Sequence, residues 1–294
     1  MGKIVERIKS GELLVSDGAW GTFLHEKGLK ASECPELWNL DRRAEVLEIA
    51  QSYVNAGSDI ILTNSFGGSP FKLESYGLGA RTFEINKAAA EISREAAGNQ
   101  VLVLGSIGPT GKMVFMGEVT EEDLFEGFKE QVRGLIAGGA DGIIMETMSD
   151  LQEARIAIAA AKSVTNLDIG CTFTFSPTAD HEYKTMMGTG IAEYLDMVQG
   201  AGADLVGANC GNGTAGMIEI VKQIRRIDTE IPILVHANAG LPIYKDGETV
   251  FPESPVEMVS QMKDLVAAGA NIIGGCCGTT PDHISMISNL VKEM

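Results

Sequence analysis

Short runs rich in Val, Ile and Leu, each closing in polar or glycine-rich residues, recur eight times along the chain. They lie at 13–18, 59–66, 101–108, 142–147, 168–175, 205–211, 232–240 and 271–278. Strands buried on both faces read in this way, as continuous apolar runs rather than alternating ones. Between most of them lie amphipathic stretches long enough for a helix, among them DLQEARIAIAAAK, TAGMIEIVKQIRRI and SPVEMVSQMKDLVAAGA. The final segment opens with Thr280, Pro281 and Asp282, which suit a cap, a first-turn proline and a first-turn acid.

One phrase repeats within this pattern. An apolar helical stretch ends in Gly, passes a small residue and an Asp or Asn, and enters a β-branched run: NAGSDIILTN, AGGADGIIMET, GAGADLVGAN and AAGANIIGGC. A glycine just past a helix supplies the left-handed conformation that ends it, so each copy predicts a short helix-to-strand loop. Strands alternating with helices eight times predict a single (β/α)8 TIM barrel rather than an open doubly wound sheet. The first strand is followed by DGAWGT, which does not match a dinucleotide-binding fingerprint. No Gly/Pro/Ser-rich linker divides the chain, so residues 1–294 are expected to form one barrel domain. The longest irregular stretches, 24–40 and 241–254, are expected to be loops over it.

Charge narrows the partners. Lys and Arg number 23 against 40 Asp and Glu, and a net charge of −17 without a basic cluster argues against nucleic acid and against anionic membrane surfaces. The N-terminus lacks the apolar core of a signal peptide, and no apolar run reaches the roughly 18 residues of a membrane span. A cytoplasmic location is therefore expected. Five cysteines without the spacing of a secreted disulfide scaffold are then free to be ligands, nucleophiles or core filler.

Barrel active sites lie at the carboxyl ends of the strands. The unusual polar residues fall there: Asp17, Thr63, Asn64, Glu146, Thr147, Asn209, Cys210, His236, Asn238, Cys276 and Cys277. Cys210 ends the sixth run and the pair Cys276 and Cys277 ends the eighth. These ends are separated by one strand, roughly 10 Å at about 4.8 Å per strand, so their thiolates can meet at one ion. Successive side chains of a strand point to opposite faces, so the adjacent pair can share a metal only if the strand breaks. Gly274, Gly275 and Gly278 are expected to permit that break. Two small core residues or a strained vicinal disulfide are the other readings of the pair. Cys34 and Cys171 are expected to be structural, and His236 a satisfied barrel histidine rather than a ligand. His25, His181 and His283 carry no signal beyond loops and a helix start.

Thiolates favour zinc or an iron–sulfur cluster, and the close cysteine spacing of cluster motifs is missing. Three protein ligands with one open position is the catalytic zinc pattern. Three thiolates leave the site with a net charge of −1, which makes the ion a weak Lewis acid. Such a site suits holding a further thiolate, and alkyl transfer to a thiol is the expected reaction.

The phrases DGAWGT, ILTNSFG, GSIGPTG, IIMETMSD, GANCGNG, HANAG and GGCCGTTP resemble the zinc-dependent homocysteine S-methyltransferases, from about residue 10 to the end. Within that family they are most similar to the homocysteine-binding module of cobalamin-dependent methionine synthase. The resemblance implies zinc on Cys210, Cys276 and Cys277, with the homocysteine sulfur as fourth ligand and Asn238 near the open position, which it could fill when substrate is absent. It implies that Asp17 and Glu146 pair with the substrate ammonium, and that backbone amides around Gly18 and Gly211 receive its carboxylate. The GNG turn at 211–213 departs from the methionine synthase module, which leaves another thiol acceptor, or service in a different methyl-transfer system, open.

The chain ends soon after the barrel, so the methyl group is expected to come from outside. The leading expectation is methylcobalamin carried by a separate corrinoid protein, with other methyltransferase subunits acting alongside. The alternatives are a direct small-molecule donor (S-methylmethionine, betaine or S-adenosylmethionine), a non-catalytic zinc- or thiol-binding adaptor of a corrinoid complex, and, more weakly, a redox role for Cys276 and Cys277 cycling as a disulfide.

Overall fold

A computed structural model of the chain describes residues 2–180, 182–245 and 247–294; His181 lies outside the described residues. Eight parallel strands form its centre: β1 Leu14–Val15, β2 Ile60–Leu62, β3 Leu102–Ile107, β4 Gly142–Met148, β5 Asp168–Phe173, β6 Leu205–Asn209, β7 Ile233–Ala237 and β8 Ile272–Gly275. Each pairs with its neighbour in sequence from β2 to β8, and β8 pairs with β1. A parallel bridge between Ser16 and Ile60 brings β1 back to β2 and closes the ring. A helix follows every strand on the outside, from Arg43–Asn55 after β1 to Pro281–Lys292 after β8. The helix after β7 is split at Gln261 into Pro255–Ser260 and Met262–Ala267.

The repeated phrase acquires a specific role. Asp59, Asp141, Asp204 and Asn271 each stand at the start of an even-numbered strand and accept the backbone N–H of the odd-numbered strand before it. The donors are Val15 at 2.9 Å, Val103 at 3.0 Å, Ile169 at 2.9 Å and Ile233 at 2.9 Å. A cationic side chain closes each staple: Arg7 on Asp59, Arg94 on Asp141, Lys162 on Asp204 and Arg225 on Asn271. The chain therefore repeats in units of two strands, four times around the lower rim. The interior above this rim is filled by side chains including Leu14, Ile60, Leu102, Ile144, Leu205 and Leu234. Ile4 and Val5 of the helix Lys3–Lys9 pack beneath them, held there because Asp168 accepts the N–H groups of Gly2, Ile4 and Val5.

The strands are shorter than the apolar runs suggest, and they stop where the polar site residues begin. The run 271–278 pairs only over 272–275, and the run 59–66 only over 60–62, because the chain then turns to present side chains at the mouth. Neither long stretch over the barrel is featureless. Residues 241–254 carry an antiparallel ribbon of Ile243–Lys245 with Glu248–Val250, and the region 24–40 holds the end of a helix at Gly21–Glu26 and a 3-10 turn at Pro35–Leu37. Short elements of this kind lack the periodicity that marks longer ones, and they rest on contacts with the barrel. Among the described residues no helix is long and apolar enough to cross a membrane.

Candidate metal and substrate site

Three loops at the upper rim, after β6, β7 and β8, are tied to one another through their backbones. Cys210 donates its N–H to His236 at 3.1 Å, Cys276 to Ala237 at 2.7 Å, Asn238 to Asn212 at 3.0 Å and Ala239 to the carbonyl of Cys277 at 3.0 Å. Cys276 opens a β-turn in which Thr279 returns its N–H to the Cys276 carbonyl at 3.1 Å, with Gly278 left-handed at φ 81° in third position. That turn is how adjacent cysteines both face one point: β8 has already ended, so the alternation of a strand no longer applies. Of the glycines expected to ease this break, Gly278 serves through its conformation. Gly274 and Gly275 serve through space instead, since a methyl group at Gly275 would overlap Thr279 and one at Gly274 would lie 2.8 Å from the Asp17 carbonyl.

The three sulfurs lie within 4.8 Å of one another, with Cys277 at 4.0 Å from both Cys210 and Cys276. Zinc–sulfur bonds of about 2.3 Å at tetrahedral angles would separate sulfurs by about 3.8 Å, so the donor set fits one soft ion held on three sides. The electrostatics favour a single anionic sulfur, that of Cys210. Hydrogen bonds from Cys276 and Cys277, with the Gly211 N–H and the Asn238 side chain, hold the Cys210 thiol far below its usual range. Those same bonds to Cys210, and burial, push Cys276 and Cys277 up, so the trio shares its charge mainly on Cys210. All five cysteines are free thiols, and Cys34 and Cys171 lie buried elsewhere.

The sulfurs open on a cavity of about 310 Å³ within the barrel mouth. Asp17 and Glu146 stand in its wall, and burial raises both carboxyls to about 7. Asp17 accepts the N–H of Leu62 at 2.7 Å and the indole N–H of Trp20 at 2.8 Å, which fix its orientation. Glu146 accepts the hydroxyl of Ser106. Neither carboxylate has a cationic partner among the described residues. A buried acidic pair without a counter-charge is costly for the empty fold, and it is a ready receptor for a cation.

Glu146 owes its direction to a bulge. On β4, Met145 pairs with Cys171 and Met148 with Phe173, so Glu146 and Thr147 together oppose the single residue Thr172 of β5. Thr147 is left-handed at φ 61° and Cys210 at φ 57°, the two non-glycine residues in that region of the backbone among the described residues. A β-branched residue held there costs about 1–3 kcal/mol and persists only where its surroundings demand it.

Most of the polar residues expected at the strand ends line the cavity: Asp17, Thr63, Asn64, Glu146, Thr147, His236 and the three cysteines, and Gly18 with them. Two expected substrate contacts do not. Gly211 is outside the cavity wall and directs its N–H to the Cys210 sulfur, and Asn238 is buried beside Cys210 with its Oδ1 unpartnered among the described residues. An orphaned acceptor next to the thiols is the kind of group that a bound ion relieves. His236 departs from the expected satisfied histidine, because its buried Nε2 has no partner among the described residues and burial holds the imidazole neutral, down to about 4. Trp20 and Ser106 act on the carboxylates, and both stand inside sequence phrases already notable for their glycines. Glu36, a buried carboxylate in the cavity wall that accepts the Gly67 N–H at 2.6 Å, carries no such signal, since it comes from the irregular region 24–40.

A family model described as homocysteine S-methyltransferase matches residues 14–291. The chain is 30% identical over 296 residues to a methionine synthase of Mycobacterium leprae (strain TN), covering 96% of this chain and 24% of that protein. It is 30% identical over 302 residues to a methionine synthase of Mycobacterium tuberculosis (strain ATCC 25618 / H37Rv), covering 98% of this chain and 25% of that protein. The chain thus spans about a quarter of the length of the curated relatives it matches. In fold it is similar to the metallated form of the homocysteine methyltransferase MmuM from Escherichia coli, with a TM-score of 0.78 at 21% identity over 97% of this chain and 98% of that one.

Proposed function

The chain belongs to the homocysteine S-methyltransferase family, and from that premise we propose that it moves a methyl group onto the thiol of homocysteine to give methionine, with zinc held by Cys210, Cys276 and Cys277. The observation that carries this reading is the trio of sulfurs within 4.8 Å of one another, opening on a cavity walled by two carboxylates. Zinc on three thiolates supplies a substrate sulfur that is deprotonated at neutral pH yet still nucleophilic. The chain's own residues bind and orient the amino acid. Asp17 and Glu146 take the ammonium, which restores both to the charged state. Gly18, whose N–H has no acceptor among the described residues, stands in the same wall and suits the substrate carboxylate.

The donor that fits best is a methylated corrinoid carried by a separate protein. Large apolar side chains stand exposed around the mouth, on loops after β2, β3, β5 and β7: Phe66, Phe115, Met116, Met186, Leu241 and Tyr244. A rim of this kind suits a docked macromolecule, whereas a donor that diffuses into the cavity has no use for it.

The test combines metal analysis with a donor panel. One zinc per chain is expected, lost from Cys210→Ala, Cys276→Ala and Cys277→Ala while far-ultraviolet circular dichroism stays barrel-like. Retained stoichiometric zinc in any of the three overturns the ligand set. Methionine should form with methylcobalamin and not with S-methylmethionine, betaine or S-adenosylmethionine, and the reverse pattern replaces the donor. Homocysteine binding without turnover with every donor would make the barrel an adaptor.

A further inference from the structure

Asn209 is fully buried at the end of β6, between the two halves of the site. Its side chain does not line the cavity, yet every polar atom of its amide is used there. Oδ1 accepts the N–H of Thr147 at 2.7 Å and the hydroxyl of Thr172 at 2.7 Å. Nδ2 donates to the hydroxyl of Thr147 at 2.7 Å. Its backbone carbonyl accepts the hydroxyl of Thr174 at 2.9 Å.

These partners are the loose ends of the β4 bulge. Thr147 and Thr172 are the residues set out of register with each other, and Thr147 directly follows Glu146. On its other side Asn209 directly precedes Cys210. The two left-handed non-glycine residues among the described residues are thus tied to a single residue, Thr147 through side-chain hydrogen bonds and Cys210 through the peptide bond. Strained positions persist where their neighbours over-determine them, and a fully satisfied buried polar network does so with a unique geometry.

We propose that Asn209 is the positioning residue that holds the carboxylate of Glu146 and the sulfur of Cys210 in one fixed arrangement, so that amino-acid binding and metal binding are set by the same side chain. The inference rests on the zinc and homocysteine reading above. It says that Asn209 acts on both ligands at once, although it touches neither. Its removal frees the bulge and leaves the residue before Cys210 without its side-chain anchor to β4 and β5.

Zinc affinity is read by competition with a chromophoric chelator, and homocysteine affinity by calorimetry on zinc-loaded protein. Asn209→Ala should lower both, each by tenfold or more, with an unchanged circular dichroism spectrum. Glu146→Gln should lower homocysteine affinity alone and leave zinc affinity within twofold. Thr147→Val reaches the same clamp from the other side, should Asn209→Ala fail to fold, and is expected to show the paired loss. Thr147→Ser, which keeps the hydroxyl, should retain at least tenfold more affinity for both ligands than Thr147→Val. If the wild type binds both ligands and Asn209→Ala and Thr147→Val bind them within twofold of it, or lose only one, the inference is wrong while the functional reading stands. A wild type that binds neither zinc nor homocysteine removes both.

Discussion

Asp141 and Glu146 stand at opposite ends of β4 and meet opposite treatment. Burial alone would raise the carboxyl of Asp141, but hydrogen bonds from Lys3, from the Val103 N–H and from Arg94 hold it below its usual range. Glu146 has a single hydroxyl donor and no cation, and burial raises it to about 7. The contrast extends around both rims. Below, four Asp or Asn side chains each satisfy a neighbouring strand and meet a cation. Above, among the described residues, lie carboxylates without a cation, two orphaned polar atoms at His236 and Asn238, and two left-handed non-glycine residues. The four lower side chains find their partners within the fold, and the two upper carboxylates find no cation among the described residues.

The largest loss of stability should come from breaking the lower end. Asp141→Ala leaves the Val103 N–H without its side-chain acceptor and two cations unpaired, and should destabilise the fold by about 2–4 kcal/mol in denaturant titrations. The Michaelis constant for homocysteine should stay within twofold below the unfolding temperature, since nothing at the mouth has changed. Equal loss of stability and substrate affinity would mean that the two ends are not separable.

Glu146→Gln tests the upper end. Removing one of two charges from the proposed ammonium receptor should raise the Michaelis constant by about 30- to 100-fold, or 2–3 kcal/mol. The empty, metal-free protein should gain stability by the same change. The wild-type carboxyl is about 7 when folded and about 4.3 in an unfolded chain. Below pH 4 both states are protonated and no penalty applies. As pH rises toward 7 the unfolded chain releases its proton first, so stability falls across that window and levels off above it. The variant lacks this loss and should exceed the wild type at pH 8 by on the order of 3–4 kcal/mol, with little difference at pH 4. A wild type more stable than Glu146→Gln at pH 8 would show that the carboxylate is satisfied in the empty fold.

The smallest expected effect is on binding as a function of pH. On the proposed reading Asp17 and Glu146 take an ammonium only when charged, so the Michaelis constant should rise severalfold as pH falls from 8 to 6 in the wild type. Glu146→Gln should show a shallower rise, due to Asp17 alone.

The repeated Gly-x-Asp phrase was visible in the chain, but its function was not: the carboxylate staples a strand that is distant in sequence. The three cysteines were legible because each ends an apolar run in a glycine-rich setting, and the carboxylates because each follows such a run. Glu36 was illegible because it comes from an irregular region with no period to read. Asn238 was expected near the open metal position and Gly211 at the substrate carboxylate, and the fold sets both against Cys210.

By itself the sequence determined the count and order of the strands, the barrel, and which residues reach its mouth, because buried parallel strands demand apolar runs and the chain must turn polar where they end. Only the tertiary structure decided where those side chains point. The bulge at Glu146 and Thr147, the turn at Cys276 and the amide of Asn209 depend on hydrogen bonds between different strands, and such pairings leave no period in any one segment of sequence.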